Sequence, residues 1–196
     1  MTIVKLCGFT RTEDARVAAE AGADMLGVIL WAGTPRRATT DQAAAIRQAV
    51  PEVELVGVFV DEQPERIDEL VAELGLDWVQ LHGHEPTEQI ERYRGRCIRG
   101  VRDGDASGVP AGIPVLFDRP FGEHANADAL AAHWRAAAAL SGDVMLAGRL
   151  DPENVAAAVR AVRPWAVDSA SGIEQAPGIK DHERIRTFVT HAREAI

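Results

Sequence analysis

Cysteine is scarce in this chain. There are two in 196 residues, Cys7 and Cys97, both inside strand-like segments, so neither a disulfide framework nor a paired metal-ligand spacing is available. No apolar run approaches the length of a membrane span. Met1-Thr2-Ile3-Val4 leads straight into a strand, without a basic stretch or a cleavage site, and a cytoplasmic location is expected. Positive charge is also short. With 21 Lys and Arg against 30 Asp and Glu the formal net charge is −9, which argues against nucleic acid or an anionic membrane surface as partner. An anionic ligand must then be captured by local positive groups. The remaining composition, 46% hydrophobic and 26% charged, suits one domain over residues 1–196 with a substantial core.

Along the chain, short apolar runs alternate with helical patterns. The runs are Lys5–Gly8, Asp24–Leu30, Glu54–Val60, Trp78–Gly83, Cys97–Arg102, Pro114–Asp118, Asp143–Gly148 and Trp165–Asp168. Helices are expected from Thr12, as N-cap, to Ala21; from Thr39 or Thr40 to Val50; and from Pro64, with Ile67, Leu70, Val71 and Leu74 on one face. Further helices are expected over Pro86–Tyr93, Ala127–Leu140, from Pro152 through Val162, and over Asp181–Ala195. Residues 103–113 are too rich in Gly and Pro for a helix. Strands rich in Val, Leu and Ile alternating with helices give a parallel sheet covered by helices, and eight units point to a compact (β/α)8 TIM barrel lacking a regular fifth helix.

In such barrels the site lies where strands give way to loops at their C-terminal ends. Lys5 and Cys7 share one strand face, so the ammonium favours thiolate at Cys7 while burial opposes it. A buried structural cysteine is the plain alternative. Asp118 and Asp168 each end an apolar strand, and either could pair with Lys5 or serve as an acid or base. His82 has no second ligand at metal spacing and suits a ligand edge or a loop cap. Arg36, stiffened by Pro35, suits bidentate capture of a carboxylate. Ser169-Ala170-Ser171-Gly172-Ile173-Glu174 has the small residues of a phosphate cradle.

Taken together, Lys5-Leu6-Cys7-Gly8, Thr34-Pro35-Arg36, Val56-Gly57-Val58-Phe59-Val60, Val79-Gln80-Leu81-His82-Gly83, Leu146-Ala147-Gly148, Asn154-Val155, Val167-Asp168, Ser171-Gly172-Ile173-Glu174, Pro177-Gly178 and Lys180-Asp181 resemble the phosphoribosylanthranilate isomerase family of tryptophan biosynthesis. The resemblance implies a cofactor-free, metal-free barrel acting on a small phosphorylated substrate, N-(5-phosphoribosyl)anthranilate. It implies an Amadori rearrangement with Cys7 as general base and Asp118 as general acid. Lys5, Arg36, His82, Gly148, Arg149, Asp168, Ser171 and Gly172 are the expected substrate-binding residues. Two stretches depart from the family pattern: Arg119–Asn126 stands where a glycine-rich loop is usual, and Ala147-Gly148-Arg149-Leu150 where two glycines are usual. Arg149 is therefore expected either to help neutralise phosphate or to turn outward toward Asp151 and Glu153. A barrel isomerase for another phosphorylated aminoaldose, or a non-catalytic phosphate-binding module, are the rival readings.

Overall fold

The computed structural model describes residues 2–102, 106–119 and 126–195. Eight parallel strands close into a barrel: β1 Ile3–Cys7, β2 Met25–Ile29, β3 Glu54–Phe59, β4 Trp78–Leu81, β5 Cys97–Val101, β6 Val115–Phe117, β7 Val144–Leu146 and β8 Ala166–Ser169. Helices α1 Thr12–Glu20, α2 Thr40–Ala49, α3 Pro64–Leu74, α4 Thr87–Arg92, α5 Ala127–Ala138, α6 Val155–Val162 and α7 His182–Glu194 cover the outside. Residue 102 and residues 106–114, between β5 and β6, form no helix. A short hairpin, β9 Glu174–Ala176 with β10 Ile179–Lys180, precedes α7 and is absent from the sequence reading. Among the described residues no helix is long and apolar enough to cross a membrane.

Alternation along the strands splits the apolar residues into two cores. Met25, Val56, Ile98, Leu116, Met145, Ala147 and Ala166 fill the barrel, with Ile3, Trp78 and Trp165 packed against them. The Trp78 and Trp165 rings stand 6.3 Å apart at the N-terminal ends of β4 and β8, where they plug that end. The opposite strand faces meet the helices in a larger core. There α3 buries Ile67, Leu70, Val71 and Leu74, each contributing about 1.5–3 kcal/mol.

Two helix starts differ from the sequence expectation. Thr12 is the first residue of α1 rather than its cap, and Arg11 at the cap position bonds through its guanidinium to Asp14 at 3.0 Å. Pro152 does not open α6, which begins at Val155. The Asp151 carboxylate accepts from the amides of Glu153 and Asn154 at 3.0 and 2.9 Å, and this tight turn spends the groups that a first helical turn would present. Thr39, by contrast, caps α2 in a reciprocal box with Gln42.

Candidate active site

Register explains how β1 delivers its polar face. Lys5 lies opposite Asp168 across the β1–β8 seam, and Cys7 lies opposite Gly27 across β1–β2. All three polar side chains turn into the barrel. Lys5, without solvent exposure, donates to Asp168 Oδ1 at 2.6 Å, so of the two carboxylates Asp168 is its partner. Burial pulls the Lys5 pKa down, but Asp168 and Cys7 outweigh it and hold the ammonium above the usual lysine value. At Cys7 the balance falls the other way. Burial pushes the thiol up, and the pull of Lys5 and Lys180 does not offset it. The sequence-level attraction of Lys5 for a thiolate is real, but burial wins in the free molecule.

The thiol fits because position 27 has no side chain. A Cβ on Gly27 would stand 2.6 Å from Cys7 Sγ, closer than any van der Waals contact allows.

His82 and Asp118 follow directly on β4 and β6. His82 Nε2 lies 3.6 Å from Asp118 Oδ2, beyond hydrogen-bond distance. Gln80, two residues earlier on the same strand face, places Nε2 3.0 Å from His82 Nδ1. With the Gln80 amide donating, the ring proton sits on Nε2 and points toward Asp118. His82 thus neither caps its loop nor stands apart from the acid. Asp118 also accepts from the Arg119 amide at 2.8 Å. Burial raises its pKa, yet His82, the Arg119 amide and Arg102 together bring it below the usual carboxylate range. The free molecule therefore carries a thiol at Cys7 and a carboxylate at Asp118.

Arg36 reaches the mouth from the loop after β2, but its carboxylate partner is internal. Nε and Nη2 clasp Glu174 at 3.0–3.1 Å and 2.8 Å, and Nη1 makes no hydrogen bond among the described residues. Glu174 also accepts from Lys180 Nζ at 2.9 Å. Burial lowers the Lys180 pKa against the pull of Glu174.

The loops after β7 and β8 meet at one end of the mouth. Gly148 and Arg149 are consecutive left-handed residues, with φ of 89° and 61°, and their amides make no hydrogen bond among the described residues. Gly172 packs directly on the Leu150 carbonyl, leaving no space for a Cβ, and Ser169 Oγ donates to that carbonyl at 2.6 Å. Ser171 is exposed beside it. Arg149 is exposed too, and its expected outward partners are taken: Glu153 pairs with Arg184, and Asp151 caps its own turn. Of the departing loop, Pro120–Ala125 lie outside the described residues.

Residues 4–191 match the family model described as N-(5'phosphoribosyl)anthranilate (PRA) isomerase. The chain belongs to the phosphoribosylanthranilate isomerase family. An N-(5'-phosphoribosyl)anthranilate isomerase of Geobacter sulfurreducens is 39% identical over 98% of this chain and 99% of its own. The corresponding protein of Halorhodospira halophila is 42% identical, covering 96% and 95%. Among solved structures, phosphoribosyl anthranilate isomerase from Thermus thermophilus superposes with a TM-score of 0.84 at 37% identity, with both chains fully covered. Another, in complex with reduced 1-(o-carboxyphenylamino)-1-deoxyribulose 5-phosphate, gives 0.82 at 34% identity over 99% of this chain and 100% of that one.

In this family member the barrel gathers Lys5, Cys7, Asp168, His82 and Asp118 on its inner face, and Gly148, Arg149, Ser171 and Gly172 on the two adjoining loops. Gln80, Glu174 and Lys180 are what sequence reasoning missed as site residues. Gln80 carried a usable signal, since it shares the strand face of His82. Glu174 and Lys180 were visible only as parts of motifs, because their meeting depends on a hairpin of three and two residues.

Proposed function

We propose that the chain isomerises N-(5-phosphoribosyl)anthranilate to 1-(2-carboxyphenylamino)-1-deoxyribulose 5-phosphate, in the cytoplasm, with Cys7 as general base and Asp118 as general acid. The observation that carries this reading is a thiol and a carboxylate at the ends of β1 and β6, both turned into the mouth of a barrel of this family. Asp118, protonated, gives its proton to the furanose ring oxygen, and the C1–O bond opens to an iminium conjugated with the aromatic ring. Cys7 as thiolate then takes the C2 proton, giving an enolamine that tautomerises to the ketone. The amides of Gly148 and Arg149, which make no hydrogen bond among the described residues, suit the phosphate together with Ser171 and Gly172. Arg149 adds positive charge there, and Arg36 Nη1 is open to the aromatic carboxylate.

The resting protons are arranged the other way round, on sulfur rather than on the carboxyl. Both arrangements hold one proton between the two groups, so the reactive form is a redistribution at fixed charge. A substrate with two anionic groups raises the Asp118 pKa, and the iminium formed on ring opening favours the thiolate. The fraction in the reactive arrangement is independent of pH wherever the pair carries one proton. A plot of kcat/KM against pH should accordingly show a broad plateau, falling on the acid side below the usual carboxylate range and on the alkaline side above the usual thiol range.

The test is purified protein with freshly made phosphoribosylanthranilate, followed by loss of anthranilate-type fluorescence. Cys7→Ser and Asp118→Asn should each lower kcat by about 10²–10⁴-fold while still binding a reduced product analogue. Near-normal turnover in either variant removes that residue from the scheme, and no turnover in the wild type removes the activity.

A further inference from the structure

Two buried charges take no part in the acid–base pair. Lys180 is enclosed at the end of β10, and Glu174, at the start of β9, exposes only 4% of its side chain. Lys180 Nζ donates to the carbonyl of Cys7 at 2.6 Å, to the carbonyl of Ala170 at 3.1 Å and to Glu174 Oε1 at 2.9 Å. Three acceptors around one nitrogen use three N–H groups, which is the complement of an ammonium and one more than a neutral amine has. The Phe9 ring lies 5.4 Å from the same nitrogen, on a further side of the charge. Glu174 in turn holds Arg36 through both oxygens and accepts the Gly178 amide at 3.2 Å.

This arrangement settles a difficulty in reading Arg36 as a carboxylate receptor. A guanidinium already clasped by a buried glutamate forms a neutral pair, which offers an incoming anion little net attraction. Adding Lys180 changes the sum. Two cations and one carboxylate leave the cluster with one positive charge, and Arg36, 25% exposed against 0% for Lys180, is the member that a ligand can touch. The Lys180 ammonium also fixes the backbone carbonyl of the residue read as the base and the turn that leads into the phosphate cradle.

We propose that Lys180 is a positioning residue for this reaction: it offsets Glu174, so that Arg36 stays aimed at the mouth with net positive charge to receive the aromatic carboxylate of the ligand. This rests on the Arg36 reading above. Glu174 is then the orienting element and Lys180 the charge that makes orientation useful.

The test measures affinity for two product analogues, one with and one without the aromatic carboxylate, on wild type, Arg36→Ala, Lys180→Met and Glu174→Gln. The quantity read is the preference for the carboxylate analogue. Lys180→Met should lose about tenfold more affinity for the carboxylate analogue than for the other, whatever loss the two share through the turn into the phosphate cradle. Glu174→Gln keeps hydrogen-bonding capacity while removing the negative charge, so the preference should hold or rise. These opposite directions separate the proposal from a merely structural role, which would lower both analogues in both variants. Preserved preference in folded Lys180→Met overturns the proposal, as does its loss in Glu174→Gln; if Lys180→Met does not fold, Glu174→Gln alone decides. Loss of preference in Arg36→Ala shows that the Arg36 reading stands whichever way the other variants fall. If Arg36→Ala keeps the preference, the Arg36 reading fails and takes this proposal with it.

Discussion

At the scale of single residues, the site depends as much on an absent side chain as on those present. Gly27 faces Cys7 across the β1–β2 register, and a Cβ there would lie 2.6 Å from the sulfur. Gly27→Ala must therefore displace the thiol or bend β2, at a cost of about 1–3 kcal/mol in stability. Steady-state kinetics should show kcat at least tenfold lower with a smaller change in KM, since the phosphate loops follow β7 and β8 and only the Arg36 loop follows β2. Unchanged kcat would mean that the sulfur position is not critical. Cys7, Asp118 and Asp168 were readable as strand-end residues because alternation and the barrel rule place them. Their protonation states were not readable. Cys7 is governed by burial, then by Lys5, then by Asp168 and Lys180, which are 161 and 173 positions away in sequence, and Arg36 is occupied by Glu174, 138 positions away.

Among the elements, α3 is the one most fully specified by its own sequence: Pro64 at its first position and four inward residues at helical spacing. Its work is packing. Leu70→Ala should destabilise the protein by about 2–5 kcal/mol, seen as a lower urea midpoint, while kcat at a temperature where the variant is folded stays unchanged. A fall in kcat without loss of stability would contradict this division. All eight strands were legible because each is a compact apolar run bounded by a helical pattern or by a Gly- and Pro-rich loop. The misplaced starts of α1 and α6 have a common cause: side chains of Arg11 and Asp151 make local bonds that shift the first turn. The hairpin β9–β10 escaped because strands of three and two residues have no period to detect.

For the molecule as a whole, alkaline pH removes stability that a buried thiol supplies. Cys97, buried in the outer core, has its thiol pushed up to about 12 by burial. The unfolded chain ionises near about 8.5, so the folded state holds that proton more tightly, and its contribution is complete below about pH 8.5 and shrinks as pH rises toward the folded value. Between about pH 8.5 and about pH 10 the loss is about 2 kcal/mol from this one group. Urea midpoints at neutral and alkaline pH should diverge less in Cys97→Ala than in wild type; an equal divergence in both would assign the effect elsewhere. The seam between β1 and β8 bears on how the chain comes into being. Val4 pairs with Val167, and Lys180 must arrive before the Cys7 carbonyl has its donor. The contacts that hold the thiol therefore join positions more than 160 residues apart, and the seam forms only when β8 and the hairpin after it reach β1. On this reading the thiol gains its surroundings at closure of the barrel rather than strand by strand.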